Sequence, residues 1–267
     1  MTEWQLAILA LIQGFTEFLP VSSSAHLILP SQLLGWPDQG LAVDIAVHVG
    51  SLFAVVAYYR KDVSVMALGS WQTLVDHAWN PASRLVALLV LATLPAVAAG
   101  LLLGSLVEEG ARSALLIGVN TLLFAAVLAL ADWRGRRNGN DLLEISIVFA
   151  LLLGCAQAVA IFPGVSRSGI TISAGLLLGL GYLSAARFSF LMSIPVIAAA
   201  GCYKVVQLLG SPDPVVWREL LLAAVLSAVT AYAAIAIFLR FLARVGLMPF
   251  VWYRIVLGLG LCIWSLT

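Results

Sequence analysis

Apolar residues run through this chain in long unbroken blocks, without the alternation of a half-buried strand or the single stripe of a surface helix. Six blocks, at roughly 41–59, 85–106, 113–131, 185–208, 218–239 and 249–266, reach the about 20 residues that a helix needs to cross a hydrocarbon core. In lipid each block is predicted to be helical, because a helix pairs its backbone polar groups within its own segment. Between the first two blocks, residues 62–80 are too polar to cross. Met66, Trp71, Leu74, Val75 and Trp79 nevertheless fall near one helical face, which predicts an interfacial helix on the cytoplasmic surface.

Two further apolar segments are interrupted by polar residues. Residues 4–35 break at Leu19-Pro20-Val21-Ser22-Ser23-Ser24, leaving limbs of about 16 and 13 residues that extend only about 24 and 20 Å. Residues 142–183 break at Phe162-Pro163-Gly164-Val165-Ser166-Arg167-Ser168-Gly169, although here the first limb reads as long enough to cross. The basic residues settle the topology. Arg60, Lys61, Arg84, Arg134, Arg136, Arg137, Arg240 and Arg244 fall in one set of alternate connections, against Arg112 and Arg218 in the other, and the richer set marks the cytoplasmic side. With six crossings, this alternation requires both broken segments to return to the side they came from. Both are therefore predicted to be re-entrant hairpins.

The two breaks resemble each other. Gln13, Glu17, Phe18, Pro20, Val21, Ser22, Ser23 and Ser24 compare with Gln157, Ile161, Phe162, Pro163, Val165, Ser166, Arg167 and Ser168, allowing a one-residue gap. With one hairpin starting outside and the other in the cytoplasm, the repeat is inverted, and its broken helices are expected to meet near the midplane. The predicted fold is all-α: a polytopic integral membrane protein of six transmembrane helices plus two re-entrant helical hairpins related as an inverted repeat. It forms one membrane domain over 1–267, with halves 1–133 (hairpin 4–35) and 141–267 (hairpin 142–183). The stretch 134–140, rich in Arg, Gly and Asn, joins them.

Composition narrows the class. The residues are 62% hydrophobic and 10% charged, which excludes a soluble globular protein, and a net charge of +1 supplies no basic face for nucleic acid. Cys155, Cys202 and Cys262 are widely spaced within apolar runs, which argues against disulfides and a thiolate metal site. Glu3 precedes the first apolar run with no basic region before it, so no cleaved signal peptide is expected. Lysine occurs only at 61 and 204, so there is no Gly-Lys-Ser/Thr phosphate loop. A His-Glu-x-x-His zinc motif is absent, and no His follows His77 to serve a phosphohistidine route.

The breaks carry the candidate chemistry. Hydroxyls at a helix start lie beside free N–H groups and the positive end of the helix dipole, and two such ends facing each other would hold an anion. Arg167 adds a fork that matches phosphate oxygens; uncompensated at membrane depth it costs at least about 2.5–3.5 kcal/mol, and Glu17 is an available structural partner. Gln13 and Glu17, four apart, share one helical face and can hold a hard divalent cation, or Glu17 can act as a base. Ser23 and His26, three apart, are placed for the imidazole to exchange a proton with the hydroxyl or with a leaving group. Asp44 and His48 either line the same cavity or make a helix-to-helix hydrogen bond. His77 reads as solvated, Glu108, Glu109, Asp213 and Glu219 as rim charges, Asn120 as an interhelical contact, and Gly100 with Gly104 as a close-packing pair.

The strings Gln13-Gly14-Phe15-Thr16-Glu17-Phe18-Leu19-Pro20-Val21-Ser22-Ser23-Ser24-Ala25-His26 and Pro163-Gly164-Val165-Ser166-Arg167-Ser168-Gly169-Ile170-Thr171 resemble the bacterial undecaprenyl-pyrophosphate phosphatases, also called bacitracin-resistance proteins. The resemblance extends to 44–55, 188–195 and 249–254. It implies a hydrolase of the bacterial cytoplasmic (inner) membrane that removes one phosphate from undecaprenyl pyrophosphate, recycling the lipid carrier for peptidoglycan and other envelope polymers. It also implies metal dependence, with Mg²⁺ or Ca²⁺ as the expected cofactor, and a site opening to the periplasmic side. By the same resemblance Glu17, Ser23, His26 and Arg167 are catalytic candidates, Glu17 and Gln13 metal candidates, and Gln13, Ser22, Gly164, Ser166, Arg167, Ser168 and Thr171 substrate-binding candidates. The family carries Glu or Gln at the position of Gln13, so Glu17 is left as the only carboxylate of that motif. The expected partner is the polyprenyl pyrophosphate lipid, and a homodimer is a candidate assembly. The alternative function is a transporter or flippase of the polyprenyl phosphate carrier, since broken helices in inverted repeats also build transporters.

Overall fold

The computed structural model describes residues 1–110, 113–136, 145–210 and 216–266. Arg112, Arg137, Asn140 and Asp213, and the side chains of Glu108 and Glu109, lie outside the described residues. The described chain is helical: α1 (Glu3–Glu17), α2 (Ser23–Leu34), α3 (Gly40–Tyr58), α4 (Arg60–Asp76), α5 (Pro81–Gly110), α6 (Ala114–Gly135), α7 (Ile147–Ala158), α8 (Arg167–Leu177), α9 (Tyr182–Leu209), α10 (Trp217–Val245) and α11 (Met248–Leu266). Six of these are long and apolar enough to cross a membrane: α3, α5 from Pro81 to Gly104, α6, α9, α10 and α11. They coincide with the six apolar blocks, and the chain is a multi-pass membrane protein.

Some boundaries differ from expectation. The described helix α7 has only 12 residues, about 18 Å long, so it falls short of a crossing that the apolar run alone suggested. Helix α6 continues through Arg134 and Gly135, so the first part of the expected linker is helical. Helix α4 buries Met66 and Gly69 and leaves Leu68, Trp71, Leu74 and Val75 exposed, as an apolar face awaiting lipid would be. It stops at the exposed His77, whose φ is 52°.

Packing pairs one half with the other. Helix α1 packs on α10 and α7 packs on α5, while α3 packs on α10 and α9 on α5. Exchanging α1 with α7, α3 with α9 and α5 with α10 maps these pairs onto one another. Close approach comes from small residues: a Cβ on Gly14 would stand 2.0 Å from Thr230 Oγ1 and 2.3 Å from the Ser227 carbonyl oxygen. Gly14→Ala should therefore push α1 off α10 at a cost of about 1–3 kcal/mol. A thermal midpoint in detergent equal to that of the parent protein would contradict this contact. Gly100 and Gly104, expected to pack closely, do not, since an added Cβ would have no atom within 4 Å. They share their turns with Leu101, Leu102, Leu103 and Leu106, all exposed, so that stretch of α5 faces outward.

The central core gathers Phe18, Leu19 and Val21 from the first break with Ile172 and Leu176 of α8, Phe190 and Leu191 of α9, and Phe238 of α10. Phe18 meets Phe190 edge to face at 5.3 Å. Burying the apolar members of the break leaves Ser23 on the wall of a separate polar cavity, with the buried Glu17 bonded to it.

Candidate active site

Helix α1 ends at Glu17 and helix α7 at Ala158, each followed by a proline-bearing turn, Pro20 and Pro163. The next helices begin after a serine with unusual backbone angles: Ser22 at φ 74°, ψ 94° before α2, and Ser166 at φ 71°, ψ 111° before α8. Positive φ at a non-glycine residue costs on the order of 1–3 kcal/mol and persists only where the surroundings enforce it. Both turns repeat the same hydroxyl contact, Ser22 Oγ to Ser24 Oγ at 3.1 Å and Ser166 Oγ to Ser168 Oγ at 3.3 Å.

Arg254 of α11 enforces both turns. Its guanidinium is completely buried and donates to the carbonyls of Pro20 (3.3 Å), Gly164 (2.8 Å) and Thr121 (3.3 Å). Asn120 adds a bond to the Pro163 carbonyl (2.9 Å), and Ser168 Oγ donates across to the Leu19 carbonyl (2.8 Å). The two breaks are thus tied to each other and to α6 and α11.

The first residues of α2 and α8 converge on one carboxylate. Glu17 Oε1 accepts from Arg167 Nη2 at 2.7 Å, and Oε2 accepts from Gln13 Nε2 at 2.8 Å and from Ser23 Oγ at 3.0 Å. Two polar atoms here are buried with no partner among the described residues: Arg167 Nη1, a donor, and Gln13 Oε1, an acceptor. Arg167 also lies over the Phe18 ring, 5.7 Å from its centroid. A polar cavity of about 300 Å³ is lined by Gln13, Ser23, Ser24, Asp44, His48 and Lys204, among others. The arrangement offers a hydroxyl beside a carboxylate, a free guanidinium N–H and two helix N-termini, which is chemistry suited to a phosphate ester or anhydride.

The donor set for a hard cation is small. Among the described residues no group of three or more His, Cys, Asp or Glu stands together as a metal cage. The oxygens available to a hard cation are the Glu17 carboxylate and the unpartnered Gln13 carbonyl; Gln13 turns its Nε2, not this carbonyl, to Glu17.

The sequence profile described as bacitracin resistance protein BacA matches residues 6–260. The chain belongs to the bacitracin resistance protein BacA family. It is similar over its length to proteins named undecaprenyl-diphosphatase: that of Hahella chejuensis is 50% identical over 265 residues, covering 99% of this chain and 98% of that protein. The protein of Alcanivorax borkumensis is 50% identical over 264 residues, covering 99% of each chain. That of Colwellia psychrerythraea is 50% identical over 268 residues, covering 98% of each.

In this BacA-family chain, Gln13 and Glu17 face each other as their spacing of four suggested, and Ser23 and, from the other half, Arg167 join them. His26 does not join them. Its Nδ1 contacts the Ser22 carbonyl at 2.7 Å and its Nε2 the Tyr253 hydroxyl at 2.5 Å, while Ser23 turns to Glu17. The reason is local: the Ser22 carbonyl, which accepts the His26 backbone N–H at 3.4 Å, lies within reach of Nδ1 as well, and the Tyr253 hydroxyl takes the other side of the ring. Ser166 caps α8 by accepting from Gly169 N at 3.1 Å, and Thr171 bonds the Arg167 carbonyl (2.8 Å) and Ser189 Oγ (2.6 Å). Ser22, Ser168 and Gly164 likewise serve the turns. Asp44 and His48 line the polar cavity; Asp44 also pairs with Lys204 of α9 at 3.5 Å, so both readings hold for it, while His48 bonds back to the Asp44 carbonyl at 2.7 Å. Arg254, Lys204 and Tyr253 escaped notice in the sequence. For Arg254 a signal existed, since an arginine within an apolar crossing has to find acceptors.

Proposed function

We propose that this protein hydrolyses undecaprenyl pyrophosphate to undecaprenyl phosphate, the activity named for its relatives. The observation that carries the reading is the convergence of Ser23 and Arg167, the first residues of two broken helices, on the single carboxylate of Glu17. Relatives matched along nearly the whole chain carry a hydrolase name, which favours hydrolysis over carriage of the lipid.

Ser23 Oγ attacks the terminal phosphorus while Glu17 Oε2, already its acceptor at 3.0 Å, takes the proton. The bond from that phosphorus to the bridging oxygen breaks, the lipid phosphate leaves with the electron pair, and water releases phosphate from the serine. Arg167 keeps Nη2 on Glu17 and offers Nη1 to the phosphate oxygens, with the N-terminal amides of α2 and α8 as further donors. Glu17 and Gln13 would hold Mg²⁺ or Ca²⁺, whose contribution is to neutralise charge on the pyrophosphate. Ser22, Gly164, Ser166, Ser168 and Thr171 shape the two turns against which the headgroup rests. His26, bonded to the Ser22 carbonyl and to Tyr253, braces the first turn and takes no proton in this scheme.

The exchange of packing partners between halves and the matching angles of Ser22 and Ser166 support an inverted repeat of two re-entrant hairpins. The polar cavity takes Asp44 near the start of α3, Val107 near the end of α5 and Lys204 near the end of α9. The end of α3, the starts of α4 and α5 and the ends of α6 and α10 carry Arg60, Lys61, Arg84, Arg134, Arg240 and Arg244. By the positive-inside rule this supports a cavity opening to the periplasmic side of the inner membrane.

Purified protein in detergent should release inorganic phosphate from undecaprenyl pyrophosphate without a sealed membrane, and a chelator should stop it. Movement of lipid across vesicles without phosphate release would favour transport instead. Substrate labelled in the terminal phosphate should leave acid-quenched label on the wild type and none on Ser23→Ala; a fully active Ser23→Ala would exclude serine attack.

A further inference from the structure

Glu17 takes the proton of Ser23 in the first step, which leaves the water that later frees the serine without a base. The polar cavity offers few groups for that task. Asp44 accepts from Gln39 Nε2 at 2.9 Å and from Lys204 Nζ at 3.5 Å, so both its oxygens are engaged. Asp38, exposed at the rim, accepts from the Gly40 amide at 2.8 Å, and Lys204 is a cation without a lone pair.

His48 is different. Its Nδ1 lies 2.7 Å from the Asp44 carbonyl, which can only accept, so Nδ1 carries the hydrogen and the neutral ring keeps its lone pair on Nε2. That nitrogen has no hydrogen bond to any described residue. The other two histidines are not so placed: His26 has both ring nitrogens engaged, and His77 is exposed beyond the end of α4. The helix that carries His48 is held firmly. Ser227 Oγ of α10 donates to the Val47 carbonyl at 2.7 Å, and a Cβ on Gly50 would stand 2.2 Å from the Ala224 carbonyl oxygen. His48 and Ser23 line one cavity of about 300 Å³, room for a phosphoryl group and several waters.

We propose that His48 is a catalytic residue of the second half-reaction, the base for the water that attacks phosphorylated Ser23. The inference rests on the serine mechanism above. The water oxygen bonds to phosphorus while one of its protons passes to His48 Nε2. The bond from phosphorus to Ser23 Oγ breaks, its electron pair stays on Oγ, and Oγ takes back the proton that Glu17 accepted in the first step. Hydrogen phosphate leaves, and the imidazolium gives its proton to water in the cavity. Glu17 and His48 thus divide the two proton abstractions between them.

The test compares wild type with His48→Asn and His48→Gln in detergent, using undecaprenyl pyrophosphate labelled in the terminal phosphate and acid quenching at successive times. Asparagine keeps a donor where Nδ1 stands, glutamine puts an amide where Nε2 stands, and neither is a base. Labelling of the protein should keep its wild-type rate. Steady phosphate release should fall about a hundredfold, the lower range for a lost general base, with label standing at about one phosphate per protein. Release within about twofold of wild type in either variant overturns the proposal, and so does loss of labelling in a variant that keeps the wild-type thermal midpoint. Wild type that releases phosphate without ever carrying label overturns the serine step and this proposal with it, whereas labelled wild type beside fully active variants overturns the role of His48 alone.

Discussion

Replacing Arg167 with alanine should lower phosphate release by about a thousandfold, the upper range for removing one preorganised donor from a developing anion. In the proposed reaction the guanidinium has two tasks: Nη2 holds Glu17 at 2.7 Å, and the buried Nη1, without a partner among the described residues, is assigned to the phosphate. The variant should also lose stability, because the Glu17 carboxylate stays buried without its cation, a change that typically costs about 3–5 kcal/mol. Arg167→Lys separates the two roles. It restores the charge beside Glu17 and should recover the thermal midpoint. A single ammonium cannot reproduce the planar fork that reaches carboxylate and phosphate together, so turnover should stay at least about a hundredfold down. Near-normal turnover in Arg167→Lys would show that the second N–H has no part in the reaction.

The second large effect is expected at a residue behind the cavity lining. Arg254→Leu should destabilise the protein by about 3 kcal/mol or more, because three buried carbonyls, those of Pro20, Gly164 and Thr121, lose their donor together. Two of them belong to the turns that start α2 and α8, so the loss also frees Ser22 and Ser166 to relax from positive φ. Ser23 and Arg167 would then leave Glu17, and turnover should fall with the midpoint. Heat denaturation in detergent and phosphate release on the same sample check both parts. A variant with the parent midpoint would mean that the turns hold without this bolt, and that Asn120 and Ser168 suffice.

The site was half visible in the linear chain. Gln13 and Glu17 share a helix face through their spacing of four, and the two proline-serine breaks align with a one-residue gap, Ser22 with Ser166 and Ser23 with Arg167. The torsions of Ser22 and Ser166 follow that alignment. His26 does not pair with Ser23, because spacing gives proximity but not the competing partners; the Ser22 carbonyl and the hydroxyl of Tyr253, 227 positions along, take both ring nitrogens. Arg254 and Lys204 stayed hidden for the same reason, since their partners lie on other helices.

What the chain determined by itself is the set of six crossings, the two interruptions and their polar content, because bilayer thickness and the cost of unpaired backbone groups act on local composition alone. Only the packed structure decided that Glu17 would meet Arg167 across 150 positions, that a buried Arg254 would lock both turns, and that a polar cavity would open beside the first break. Those outcomes depend on which helix faces touch. In lipid, apolar surface offers little preference between partners, so close-packing glycines such as Gly14 and buried polar bonds make the choice.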